Sequence, residues 1–469
     1  QERVLPNKPR DSSDKPAPTG TASSGRAPGP DSTAGGQATT GPSDSPLLSA
    51  TQPRMGTFHA LRFRDFRLLW IGTLFASAGQ WIQQATLSWV VYDVSGSGTL
   101  LGAMGLMRSI PMLLLTPFAG VAADRMDRKV LMLSSQVGML LLALGLGIGL
   151  ALGRIGIWHL FVFTFLAGIA QAVNQPVRQT IVFDLVPRHA IVNAVALSTA
   201  GFNLTRALGP SIAGFLIAWF GPAGNFFVQS AAYLGVVVSV FLMVFPPGRR
   251  VGRGVSVFSN LAEGFRYVAR DHTARILVAL GIIPPVLIIP TLMSLTPIFA
   301  KDIFHSGPTG LGFLLSSVGV GGVAGALFTA SLGRFDRRGL LQLGALFGMS
   351  LAVLAFAFTR SLATALPLLM VAGFCEMIYM STNQAILQLS VPDRMRGRVT
   401  SILMLNMALM PVGGVVAGAG ADLVGAPFMA ASLSGAAIVL GLFITIFVPA
   451  VRWLRLSQLR PADGSQRPA

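Results

Sequence analysis

Three charged residues stand inside long apolar runs: Arg108, Arg206 and Glu376. A guanidinium stays ionised in any protein. Inside a membrane it must face a cavity, a carboxylate or backbone carbonyls. A carboxylate in apolar surroundings pays heavily for its charge, so it is suited to taking up and releasing a proton. Glu376 shares a helix face with Tyr379 and Asn383, at i, i+3 and i+7. Two chemistries fit it: proton transfer between two sides of a membrane, or a permanent ion pair with Arg206 or Arg108.

Amides recur in two other apolar runs. Gln80 and Gln84 lie one turn apart with Gln83 beside them, and Gln171, Asn174 and Gln175 precede Arg178. Each is either a contact for a solute or an interhelical hydrogen bond that aids packing. The chain has five His, none paired at metal-ligand spacing. No cluster suited to metal or acid–base catalysis follows, so no catalytic residue, metal or cofactor is expected. A membrane enzyme and a non-transporting receptor or scaffold remain rivals from other classes.

A third constellation is the stretch Gly120–Lys129, GVAADRMDRK, whose charges are Asp124, Arg125, Asp127, Arg128 and Lys129. It joins two apolar runs of membrane length, so it forms a hairpin at a membrane surface. Asp124 reaches Arg128 one turn on, and its carboxylate also suits the N-terminus of a neighbouring helix. An ordinary basic hairpin is the plainer reading.

Composition sets the frame for these groups. Of 469 residues 52% are hydrophobic and 11% charged, too apolar for a soluble domain of this length. The net charge of +17 would suggest nucleic acid in a soluble protein. Here the basic residues gather in alternate loops, with Arg154, Lys301 and Arg360 on the opposite side. That asymmetry is the positive-inside pattern, and nucleic-acid binding is excluded. Cys375 is the sole cysteine, which allows no internal disulfide.

The pattern predicts an all-α membrane protein with twelve spans, near 68–92, 100–122, 130–152, 157–180, 193–220, 224–245, 275–300, 309–332, 340–359, 362–389, 399–423 and 428–449. An even count with this charge bias places both termini in the cytoplasm of a cell-membrane protein. Residues 1–54 have no aromatic residue and are rich in Pro, Ser, Gly and Thr. They are expected to be a disordered tail, or to lie upstream of a true start at Met55. Residues 55–245 form one half, 246–274 a linker, 275–450 a second half and 451–469 a tail. In the linker Val257, Leu261, Phe265 and Val268 share a face, which suits a helix lying on the membrane surface; a solvent-facing linker helix is the alternative.

The halves repeat. A shift of 209 residues places Asp93 on Asp302, Arg125 to Lys129 on Arg334 to Arg338, and Asn174-Gln175 on Asn383-Gln384. Asp336 and Arg337 thus form a second charged loop, with Gly333 where Asp124 would fall. Two parallel six-helix units built by duplication explain this offset.

The 120–129 stretch resembles the signature loop between helices 2 and 3 of the major facilitator superfamily, with Asp127 in place of a usual Gly. Gly209-Pro210 followed by Gly214 resembles the helix-5 motif of its proton-coupled exporters. FRDFRLLW (63–70), WIQQATLSWVVYDVSGS (81–97), ADRMDRK, NQPVRQTIVFDLVP (174–187) and FNLTRALGP (202–210) resemble the transmembrane secretion effector branch. That branch includes enterobactin exporters and macrolide efflux proteins.

The resemblance implies alternating access between the two halves, helices 1, 4, 7 and 10 lining a central cavity, and a gating loop of Gly120, Asp124, Arg125, Arg128 and Lys129. Gln80 stands where the branch often has Asp, and the Arg-containing helix-4 motif of many antiporters is not evident in FVFTFLAGIAQA. Glu376 then becomes the candidate coupling residue. The expected activity is export of a small, fairly hydrophobic compound in exchange for protons, by a monomer in the lipid bilayer. A facilitator or importer of a small metabolite is the runner-up.

Overall fold

The computed structural model describes residues 58–245 and 257–448, apart from 333–334, 393–394, 396–397, 400–401 and 403–408, together with Arg452. Of residues 116–125, 179–180 and 257–261 it describes the backbone alone. The disordered-tail expectation for 1–54 therefore falls outside the described residues, as do the side chains of Gly120, Asp124, Arg125, Val257 and Leu261.

All regular elements among the described residues are helices. The first half comprises α1 Arg64–Ser95, α2 Gly98–Arg125, α3 Arg128–Ala151 and α4 Ile157–Leu185. One helical segment, Ile191–Leu242, follows and is folded at Gly221 into α5 (191–220) and α6 (222–242). Gly221 takes a left-handed φ of 69°, which only glycine adopts without strain, and Pro222 starts the next arm with its φ already set. The linker helix is α7, Val257–Arg270. The second half holds α8 (His272–Ile303), α9 Gly307–Ser331, α10 Arg338–Ala357, α11 Leu362–Ser390, α12 Met410–Val424 and α13 Ala426–Phe447.

Nine helices among the described residues are long and apolar enough to cross a bilayer, and the folded 188–242 segment is one of them. α12 is apolar but 15 residues long as described, and α1, at 32 residues, is diluted by its glutamines and serines. This inventory is consistent with the expected twelve spans.

The surface runs opposite to that of a soluble protein. Leu141 and Ile148 on α3, Phe241 on α6 and Leu423 on α12 are exposed, whereas Gln83, Asn225, Gln229, Gln342 and Glu376 are buried. Lipid solvates the apolar exterior, and polar groups find partners inside. α8 departs from regular α geometry through wide turns at Pro284–Ile288, Thr291–Leu295 and Phe299–Ile303. Prolines 284, 285 and 290 remove backbone donors there, which is the bending role their number suggests.

The linker helix is docked rather than free. Val268 is buried with Leu277, Ile386, Leu387 and Met395 of the second half, and Glu263 pairs with Arg398 at 2.7 Å. Phe265 stays exposed. One residue of the expected apolar face therefore packs on protein, and another is left at the surface.

The halves touch along three lines. α2 packs on α12, α5 on α9, and α1 on the C-terminal end of α8. The first two are close backbone approaches. A Cβ on Gly98 would lie 2.7 Å from the Gly418 carbonyl, and one on Gly214 would lie 2.7 Å from that of Pro308. The Gly98–Gly418 and Gly214–Pro308 approaches lie towards the end of the bundle that carries the 96–98 and 424–426 turns.

Candidate functional site

Arg206 on α5 and Glu376 on α11 meet across the two halves, Nη2 to Oε1 at 3.0 Å, with side chains 18% and 9% exposed. The second carboxylate oxygen, Oε2, is buried with no hydrogen-bond partner. The sequence leaves Glu376 to pair with either Arg206 or Arg108; the fold selects Arg206. Its expected face-mates are used elsewhere. The Tyr379 hydroxyl donates to the Leu280 carbonyl at 2.8 Å, and Asn383 Oδ1 accepts from Gln342 at 2.8 Å. Both bonds lie within the second half, so Tyr379 and Asn383 serve packing in this state.

Arg108 has a different environment. Its Nη1 donates to Gln84 Oε1 at 2.7 Å, and its Nε and Nη2 donate to Gln171 Oε1 at 3.1 and 2.8 Å. Asn174 donates to Ser135 Oγ at 3.1 Å. Gln80, Gln171, Asn174, Arg108 and Arg178 line one cavity, with walls from α1, α2, α3, α4 and α6. Four of the amides expected in the pathway are thus brought together, all inside the first half.

The helix-5 motif works at interfaces. A Cβ on Gly209 would lie 2.6 Å from Trp81 Cβ of α1, and the Pro210 carbonyl and Gly214 abut Gly312 of α9. Ser211 N–H also donates to Ser316 Oγ at 2.9 Å, tying α5 to α9.

At the basic end, Arg128 pairs with Asp184 of α4 at 2.8 Å. Asp127 caps α3 by accepting from the Lys129 N–H at 2.7 Å. That role gives the departure from the usual Gly a local reason. Lys129 Nζ donates to the carbonyls of Phe241 and Met243 at 2.8 and 2.9 Å, a cation set on the C-terminal end of α6. Arg128 and Lys129 are therefore bonded inside their own half. Arg337 stands at the N-cap position of α10 without a side-chain capping bond, and the Asp336 carbonyl accepts from the Arg338 N–H at 2.9 Å.

The opposite end carries bonds that sequence reasoning missed. Asp422 of α12 accepts from Ser97 Oγ, Gly98 N, Thr99 N and Thr99 Oγ1 at 2.6–2.9 Å. A carboxylate from one half thereby caps the first turn of a helix in the other. Beside it Lys301 pairs with Asp93 at 2.7 Å, and the Tyr92 hydroxyl donates to Asp302. Tyr92-Asp93 and Lys301-Asp302 are equivalent dipeptides at the 209-residue offset, so the bonding is reciprocal. The Asp93–Asp302 match was the available signal; Asp422 has no counterpart that would flag it.

Two helical halves with an apolar exterior, a polar interior and an ion pair between them, closed together at one end, define a multi-pass membrane transporter of the major facilitator type. The chain belongs to the transmembrane secretion effector family, whose profile matches residues 55–463. It is 28% identical over 403 residues to the multidrug efflux pump Tap of Mycolicibacterium fortuitum, covering 83% of this chain and 97% of that one. It is 25% identical to the staphyloferrin A transporter of Staphylococcus aureus, with 74% and 87% covered. Macrolide efflux protein A of Streptococcus pyogenes is 22% identical, with 77% and 90% covered. These relatives are transporters, not enzymes.

Among solved structures the fold is similar to the nucleoside transporter NupG, with TM-score 0.66 and 14% identity over 82% of this chain and 99% of that one. It is also similar to a bacterial homologue of the lysosomal transporter Spinster in an inward-facing, unoccupied conformation. There the TM-score is 0.65 and the identity 16%, over 85% and 99%.

Proposed function

We propose that this protein exports a small, fairly hydrophobic compound by alternating access, in exchange for protons. The relatives named as multidrug and macrolide efflux proteins support the direction and the kind of cargo. The observation that carries the coupling is the Arg206–Glu376 pair between the halves, with one carboxylate oxygen left without a partner. Protonation at Glu376 cancels the attraction that ties α11 to α5. Loss of the proton restores it. A proton entering from one side and leaving to the other thus alternates between loosening and closing the interface.

In this reading the end closed by Asp422 and the Asp93–Lys301 pair is the outer gate. The basic loops face the cytoplasm, where the cavity opens to take its cargo. The proton gradient is the driving force, and no cofactor enters the cycle.

The test is proteoliposome flux with an imposed pH gradient. Glu376→Gln is expected to abolish gradient-driven transport while substrate exchange continues. Breaking a buried pair from one side costs about 3–5 kcal/mol, so Arg206→Gln is added to relieve the unpaired arginine. Undiminished proton-driven efflux by Glu376→Gln removes Glu376 from the mechanism. A fold defect cured by the second substitution, without any change in coupling, leaves it a structural pair.

A further inference from the structure

Five arginines with described side chains can be compared. Arg206, Arg128 and Arg398 each have a carboxylate within 3.0 Å. Arg108 has only the neutral amide oxygens of Gln84 and Gln171. Arg178, which lines the same first-half cavity, joins no ion pair among the described residues. No Asp or Glu lines that cavity; its other polar walls are amides and the Tyr233 hydroxyl.

Two permanent positive charges therefore sit inside an apolar bundle without a counter-charge among the described residues. Taking an ion out of water costs several kcal/mol unless an opposite charge repays it, and a guanidinium cannot escape by losing its proton. Neutral amides repay only part of that cost. Both arginines are half-buried, and both line the cavity.

Their spacing adds to the argument. Gln171, which holds Arg108, and Arg178 are seven residues apart on α4, two turns or about 10 Å along the axis. Two arginines held at different levels of α4 suit a ligand that carries more than one acidic group. The planar guanidinium fork binds carboxylates in a two-bond geometry.

We infer that the cavity of the first half is an organic-anion site, in which Arg108 and Arg178 bind carboxylate groups of the transported molecule. This rests on the transport reading above and narrows its cargo to an apolar body that carries acidic groups. The arginines then select the cargo, and the bound anion neutralises the bundle while the halves rock.

The test uses the full chain purified in a neutral detergent, with citrate as probe and trimethyl citrate as its uncharged counterpart, at matched ionic strength. Citrate is expected to bind and raise the unfolding midpoint, and the ester is not. Arg108→Gln and Arg178→Gln should each weaken citrate binding by about tenfold or more, as loss of a charge-assisted contact predicts. Arg178→Lys, which keeps the charge but loses the fork, should fall between them and the wild type.

Equal binding of citrate and ester, or none by either, overturns the inference. So does full citrate affinity in folded Gln variants. If those variants do not yield a monodisperse protein, the wild-type comparison of acid with ester decides alone. Gradient-driven efflux of an apolar dye, in a neutral and in a carboxylate form, is measured in parallel. Efflux without citrate binding sinks only the anion site, whereas citrate binding without any flux sinks the transport reading.

Discussion

Asp422 concentrates the closure at the 96–98 end in one carboxylate. Two of its four bonds satisfy first-turn backbone donors of α2, Gly98 N and Thr99 N, and the other two take the Ser97 and Thr99 hydroxyls. The site is exposed, so screening limits its worth to about 1–2 kcal/mol in all. That still moves a two-state equilibrium by roughly five- to thirtyfold. Asp422→Ala should raise the population open at that end, read as wider distances between spin labels on α2 and α12. Unchanged distances would mean that the backbone packing closes the end unaided. Arg128 is the contrasting case, since its partner Asp184 lies in the same half and its loss should not separate the halves directly.

Helices α2 and α12 can close only because both lack side chains where they cross. Gly98 and Gly102 face Gly418 and Gly414 so closely that a Cβ would strike backbone. Small residues at such a crossing let dispersion and backbone contacts hold helices together in lipid. Gly418→Val should leave each half folded, yet trap the transporter open at this end and stop turnover. Normal turnover by that variant would show that α2 and α12 separate further in the working cycle than they do in this state. The wide turns of α8 belong to the same scale. They give the span beside α12 a backbone already short of regular hydrogen bonds at Pro284 and Pro285, and such a span bends at low cost.

For the molecule as a whole, orientation follows from charge. The basic loops and the 96–98 and Gly221 turns lie at opposite ends of the helices. Reporter tags at either terminus should face the cytoplasm, and tags at Ser97 or Gly221 should face outside. Cleavage of a C-terminal tag by protease added to intact cells would invert this arrangement. Duplication gives the two halves equivalent groups at the same end: the Tyr92-Asp93 and Lys301-Asp302 dipeptides bond reciprocally between them.

Hydropathy and the 209-residue repeat determined the helical membrane class and the two halves, because bilayer thickness and an internal duplication are read directly from order along the chain. The 120–129 loop and the 202–214 motif were legible as local patterns for the same reason. Partner choice was not. Glu376, Tyr379 and Asn383 share a helix face in sequence, yet one pairs with α5, one with α8 and one with α10. Asp422 gives no local sign that it will cap α2, some 320 residues away in sequence. Arg108 and Arg206 look alike in their apolar runs, and only the fold gives a carboxylate to one and amides to the other. Those outcomes depend on which helices cross at which depth, a property of tertiary packing that helical spacing does not encode.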